Sequence, residues 1–258
     1  MKKIILGFLL GVLITETIGV IATNTISSSI VSYNNTTVNH SLDELYSLAY
    51  NKVYDNGTAV YYNPVTNKKC ISSESKSLTG TKTGCMKWYT FNDGGSDSDV
   101  VNLILDHNTT AGVSWNSDTN NSFMKDAALS LVNDTKEWKV GARLITAYEI
   151  ATIIGETNFK GTSAFYLTGS LMSGKGTSKY AWLYDYTYNC ESYGGNINDK
   201  NEYNNNYVTG YWTSTPNNSN RVNTFYVSNF GQVDFQVDNS RADMGIRPVI
   251  TISKSILS

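Results

Sequence analysis

The last quarter of the chain, Gly210 to Ser258, narrows the choice of fold more than any other stretch. Short apolar and β-branched runs at 208–213, 224–229, 232–237 and 246–252 alternate with Asn, Ser and Gly, which reads as strand, hairpin, strand. The final run is Gly245-Ile246-Arg247-Pro248-Val249-Ile250-Thr251-Ile252, an ending that closes a domain rather than trailing off. Upstream, strands are expected over Thr58–Tyr62, Cys85–Phe91 and Val100–Asp106, with a strong turn signal at 92–99. Phe123, Ala127 and Leu131 align on a helix over 122–132. Trp138–Ile145 reads as extended. Thr146-Ala147-Tyr148-Glu149 is a capping box, opening a helix through Ile154 that Gly155 ends. Residues 157–176 read as irregular and 189–206 as a long Asn-rich loop. No internal repeat is visible. The predicted fold class is therefore α+β, two helices in a mainly antiparallel domain over 57–258.

The first 22 residues read as a signal peptide or membrane anchor. Lys2 and Lys3 precede the apolar run Ile4–Ile14, and Val20-Ile21-Ala22 offers small residues for cleavage before Thr23. Glu16 weighs against a plain spanning helix. Residues 23–40 form a polar linker. Ser41-Leu42-Asp43-Glu44 is a second capping box, expected to open a short helix over 41–54. The chain is expected to be exported, secreted or held at the cell surface, touching the membrane only through its N-terminal segment.

Charged residues make up 16% of the chain and the net charge is -2, which gives no footprint for nucleic acid. Polarity comes from Asn, Ser, Thr and 18 Tyr, the amphipathic types that suit wet binding surfaces and also fill strands. Of the 3 cysteines, Cys70 and Cys85 flank a Ser/Thr/Gly/Lys-rich loop. They form either a disulfide, contributing roughly 3 kcal/mol by loop entropy, or two thiols. Cys190 is left over, either buried or reactive.

Several motifs fail on inspection. Gly169-Ser170-Leu171-Met172-Ser173-Gly174-Lys175-Gly176 nearly spells a phosphate loop, but Gly176 stands where the magnesium-binding hydroxyl belongs. Lys82-Thr83-Gly84 and two Ser-x-x-Lys matches come in the wrong order or place for penicillin-binding enzymes. With only 2 histidines, a triad or zinc site would rest on His107, which ends a strand. Asp93, Asp97 and Asp99 suggest a calcium loop without its bidentate Glu. No cofactor, metal or catalytic residue is assigned.

The segment 141–151, Gly-Ala-Arg-Leu-Ile-Thr-Ala-Tyr-Glu-Ile-Ala, resembles the Arg-Leu-Pro-Thr entry to a helix in formylglycine-generating-enzyme-like domains. Gly210-Tyr211-Trp212-Thr213-Ser214-Thr215 and Gly245-Ile246-Arg247-Pro248-Val249 resemble the family's Tyr-Trp-Ser-Ser and Gly-Phe-Arg segments, in the same order. The chain is also similar to uncharacterised exported proteins of Gram-positive gut bacteria. The resemblance covers roughly 57–253 and implies a C-type-lectin-like (sulfatase-modifying-factor-like) fold. It gives structural roles to Arg143, Thr146, Glu149, Trp212 and Arg247. The family's activities do not carry over. Its sulfatase-activating members use a C-terminal cysteine pair for copper, and Cys190 stands alone. Its sulfoxide synthases need three histidines. Ile145 replaces the usual Pro. Of the carbohydrate-binding Glu-Pro-Asn motif, Thr215-Pro216-Asn217 keeps the last two residues. The fold also serves ligand display in variable tip proteins, and 217–220 with Tyr226, Asn229 and Gln236 is similar to such a surface.

The expected function is a cell-surface recognition module for a glycan or protein ligand. Its expected contacts are Trp182, Tyr184, Tyr211, Asn217, Arg221 and Tyr226. A structural surface or appendage subunit, assembling through 41–54, is one alternative. A divergent enzyme built on Cys190, His107 and Asp185 is the other.

Overall fold

A computed structural model describes residues 52–76, 80–118, 123–167, 179–184, 210–220, 222–228, 231–238, 240, 242 and 244–257, together with 32–33 and 36–37. The chain divides into two units, Met1–Asn51 and Lys52–Ser258. In the first, β1 (Ser32–Tyr33) and β2 (Thr36–Thr37) pair antiparallel as a small ladder within the expected linker. The leader at 1–22 lies outside the described residues, as does the helix expected over 41–54 up to residue 51. Lys52–Tyr54 carry no regular secondary structure. Among the described residues, no helix is long and apolar enough to cross a membrane.

Among its described residues the second unit is α+β, with two α-helices and two six-stranded sheets. Its strands are β3 (Ala59–Asn63), β4 (Lys68–Lys69), β5 (Met86–Phe91), β6 (Val100–Leu105), β7 (Thr110–Val113), β8 (Ala142–Leu144) and β9 (Phe165–Tyr166). They continue with β10 (Gly210–Pro216), β11 (Asn223–Ser228), β12 (Gln232–Asp238), β13 (Met244–Ile246) and β14 (Pro248–Ser253). The helices are α1 (Asp126–Thr135) and α2 (Ala147–Ile154). One sheet runs β4-β3-β5-β6-β14-β8 and is antiparallel throughout. The other runs β7-β13-β10-β11-β12-β9, with one parallel pair at Tyr211 and Gly245.

The two-residue period of a strand explains the first sheet's near-continuous apolar runs. Met86, Trp88, Val101, Leu103, Leu105, Ile250 and Ile252 face one way, onto Tyr62, Trp138 and Leu257. Tyr89, Phe91, Ile104 and Val249 face the other way, into the larger core shared with α2, Tyr211, Phe225 and Val233. Both faces are covered, so alternation gives way to general apolarity. A third cluster seats α1 through Ala127 and Leu131 on Trp115, Trp212 and Ile246.

The helix signals work through different physics. At α2 the Thr146 hydroxyl accepts the Glu149 N–H at 3.0 Å while the Glu149 carboxylate accepts the Thr146 N–H at 2.9 Å. Gly155 closes the helix at φ 78°, a left-handed conformation that costs glycine little. Arg143 clamps the same carboxylate with two bonds of 2.8 and 2.6 Å, so β8 and α2 are tied at their junction. Burial would raise the Glu149 carboxyl, but Arg143 and the Thr146 amide outweigh it and hold it below the usual range. Helix α1 has no side-chain cap. The Trp115 carbonyl instead takes the N–H groups of Lys125, Asp126 and Ala127. A start at Ser122 was expected from periodicity, and this tertiary cap moves the start to Asp126.

The run expected as one strand over 246–252 is two strands in two sheets, divided at Arg247. Three short strands, β4, β7 and β9, were not expected from sequence: Lys68–Lys69 and the Ala111-Gly112 centre of β7 are poor strand formers, and Phe165–Tyr166 lies in the stretch read as irregular.

Candidate functional site

The side chain at the sheet crossover organises the interior. Arg247 is fully buried, and its guanidinium donates to three main-chain carbonyls. Nε reaches Leu105 at 2.5 Å, Nη1 reaches Leu183 at 2.6 Å and Nη2 reaches Trp182 at 2.7 Å. The Tyr211 ring lies 5.1 Å from the guanidinium carbon, and the Tyr211 hydroxyl donates to the same Leu183 carbonyl at 2.9 Å. Desolvation raises the Tyr211 hydroxyl to about 12, despite the opposing pull of Arg247. This phenol is a hydrogen-bond donor here and not an acid. The short turn Ala181–Leu183 is therefore pegged into the core between β9 and β10.

Four of the six residues expected at ligand contacts are buried around or near that peg. Trp182 is 8% exposed, Tyr184 2%, Tyr211 0% and Asn217 2%. The first three belong to the large core cluster, where their area is spent on packing. Asn217 uses its side-chain oxygen to accept the N–H groups of Ser219 and Asn220, shaping the β10–β11 turn. Tyr226 is half-buried, packed edge-on to Trp212 with ring centroids 6.3 Å apart, and its hydroxyl donates to Asp234. Arg221, Cys190 and Asp185 lie outside the described residues. Trp212 is fully buried and its indole N–H donates to the Val113 carbonyl at 2.6 Å, joining β10 to β7. Gly210 is bare because a Cβ there would run into the Val227 carbonyl of β11.

The other chemical candidates resolve into structural pairs. His107 is fully buried, with Nδ1 2.6 Å from Asp106 and Nε2 3.0 Å from the Thr81 carbonyl. Both ring nitrogens are engaged, and no face is left for a substrate. Asp93 does not sit in a cation loop. Its carboxylate accepts the Tyr54 N–H at 2.6 Å and the Gly95 N–H at 2.7 Å, and lies 3.1 Å from the ammonium of the fully buried Lys254. Burial would raise this carboxyl, but the two amides and Lys254 outweigh it and hold it low. Cys70 and Cys85 form a disulfide with Cα atoms 6.0 Å apart. Glu74 gathers beside them, but the sulfurs are bonded to each other and offer no thiolate to a metal.

An open cleft of about 320 Å³ lies between the incoming segment 52–55 and β3. Asp55 to Thr58 form the turn joining its two walls, with the Thr58 N–H on the Asp55 carbonyl. Lys69, Cys70 and Leu257 close the far end. The sequence produces this opening through register. The Thr90 N–H bond to the Thr58 carbonyl sets the ladder alternation, so Ala59 and Tyr61 turn their main-chain groups away from β5. The Cys70 N–H takes the Tyr61 carbonyl, and β4 pairs only with Tyr62 and Asn63. On the side facing away from β5, Ala59 has no strand partner among the described residues.

The cleft is cationic and partly aromatic. The Lys69 ammonium is anchored by the Leu257 carbonyl at 2.8 Å. The Lys52 ammonium sits 4.7 Å from the centre of the Tyr54 ring. Asp55 is the one carboxylate in the lining, and Thr58 adds a hydroxyl. Tyr54 is 6% exposed, and its buried hydroxyl has no hydrogen-bond partner. Val53, 54% exposed, supplies an apolar rim. From sequence, Lys52–Tyr54 read as the end of the helix expected over 41–54 and Thr58–Tyr62 as a strand, and the cleft between them forms only when β3 pairs with β5.

No family model, curated protein or solved structure matches this chain.

Proposed function

We propose that this chain is an exported recognition module of C-type-lectin-like architecture, whose ligand enters the cleft between Lys52–Asp55 and β3. The cleft carries the reading. It is ready-made, of ligand size, and lined by two lysines, Asp55, tyrosines and a hydroxyl. The disulfide at its rim suits an oxidising compartment, in keeping with the lysine-led apolar leader. The lectin-like architecture is supported by the tasks of the three resembling segments: Arg143–Glu149 locks the entry to α2, Trp212 joins β10 to β7, and Arg247 pegs the turn at Ala181–Leu183.

Filling the cleft tests the reading. The full chain is applied to glycan and peptide arrays beside an Ala59→Trp variant. Ala59 is exposed, so the indole occupies the opening without entering the core. The expected result is a retained fold by circular dichroism with array signals reduced at least about tenfold, equivalent to 1.4 kcal/mol. Signals unchanged by the indole would place recognition elsewhere.

A second reading rests on a different observation. Leu129 and Val132, one helical turn apart on α1, are 60% and 62% exposed, and nearby Phe123 is 74% exposed. This row favours a surface subunit that assembles through α1. Light scattering of the full chain and of a Leu129→Glu/Val132→Glu variant decides it. Assembly abolished by the two carboxylates supports the subunit reading, and a monomer in both removes it.

A further inference from the structure

We propose that the Lys52–Lys69 cleft binds an acidic sugar, a single carboxylated saccharide unit held through its anionic group. The inference rests on the recognition reading and names the ligand class for that same site.

Charge comes first. Among the described residues, two ammonium groups and one carboxylate line the cleft, so it favours an anion. Lys69 is the fixed member of the pair. One of its three protons is committed to the Leu257 carbonyl, which positions the head group and leaves donors for a ligand. Lys52 lies over Tyr54 at the opposite wall. A ligand with one carboxylate reaches Lys69 while its remaining polar groups face Thr58, Asp55 and Lys52.

Size and wall chemistry then separate a sugar from a peptide. A volume of about 320 Å³ is at the small end of ligand sites and suits one ring-sized unit better than an extended polymer. A peptide would draw its affinity from main-chain pairing with the open edge of β3. That edge is spent after one residue. Ala59 is open, but Cys70 already takes the Tyr61 carbonyl. The polar groups present are instead those that match a polyol: an acceptor carboxylate at Asp55, a donor–acceptor hydroxyl at Thr58, and an apolar rim at Val53 for ring C–H groups. The unpartnered hydroxyl of Tyr54 is a further polar group in this wall, buried and without compensation.

The test is a titration of the full chain with galacturonate, N-acetylneuraminate, galactose and an acetylated, amidated Glu-Thr-Glu tripeptide, by calorimetry at low and high salt. Both acidic sugars are expected to bind, at least about tenfold more tightly than galactose, and more weakly as salt rises. Lys69→Gln and Lys52→Gln should each weaken them several-fold, while Lys69→Arg, which keeps the charge, should retain most of the affinity. Circular dichroism confirms that each variant is folded. Galactose equal to galacturonate, or affinity unmoved by Lys69→Gln, overturns the acidic-sugar proposal and leaves recognition standing. Tripeptide binding that exceeds the sugars and is lost in Ala59→Trp does the same, making the cleft a peptide site. Absence of binding by all four probes overturns the proposal, and array signals that Ala59→Trp does not reduce would remove the underlying reading as well.

Discussion

Replacing Arg247 with lysine is expected to destabilise the fold by about 3 kcal/mol or more. The guanidinium serves three carbonyls from two directions, Leu105 on β6 and the Trp182–Leu183 turn. A lysine keeps the buried charge but has no planar fork with which to span them. It therefore combines the desolvation of a cation with carbonyls left unmet. Arg247→Met abandons the charge along with the bonds, so it should be no worse than lysine despite the larger chemical change. Urea unfolding followed by tryptophan fluorescence measures both. A lysine variant within about 0.5 kcal/mol of the parent would show that the three carbonyls find other donors.

Removing the Asp93 carboxylate is expected to cost a similar amount, roughly 3–5 kcal/mol for Asp93→Ala, because the buried Lys254 ammonium keeps its bond to the Gly95 carbonyl but loses its counter-charge. The reverse change should be milder. In Lys254→Met, Asp93 keeps the Tyr54 and Gly95 amides, and methionine fills the space of the lysine stem. The pH dependence has a definite sign. The folded carboxyl titrates below its unfolded value, so its stabilisation is present above the ordinary carboxylate range and is lost as pH falls through the lower folded value. Glu149 contributes in the same direction. Thermal melts from neutral to acid pH should therefore fall less steeply for Asp93→Asn than for the parent. Parallel curves would mean that Asp93 does not titrate in the unfolding range.

These two residues also mark the limit of what sequence can disclose. The capping box at Thr146, the stop at Gly155 and the strands β5 and β6 were legible because each depends on neighbours a few residues away. The partners of Arg247 lie up to 142 residues away in sequence, and no local pattern encodes them. A pattern of apolar residues showed that 246–252 was extended but not that Arg247 would switch it between sheets. The burial of Trp182, Tyr184 and Tyr211 escaped sequence for a related reason. Tyr and Trp suit a wet surface and a core equally well, and composition cannot assign Trp182, Tyr184 or Tyr211 to one of them. The cleft residues were missed because they are ordinary alone: two lysines, a threonine and an alanine become a site only through strand register.

The placement of β14 has a consequence for how the protein comes into being. This strand follows every other strand of both sheets in sequence, yet it lies inside its own sheet, between β6 and β8, while β13 just before it bridges β7 and β10 in the other. Both sheets therefore stay open until residues near 250 have left the ribosome. Hairpins from β3 to β6 can form early, but the pairings that join them to the rest span most of the chain and carry the slow step of folding. A nascent chain that has not yet made β13 and β14 has a gap inside each sheet, leaving one edge each of β6, β8, β7 and β10 unfilled, a form that chaperones and proteases can distinguish from the folded molecule.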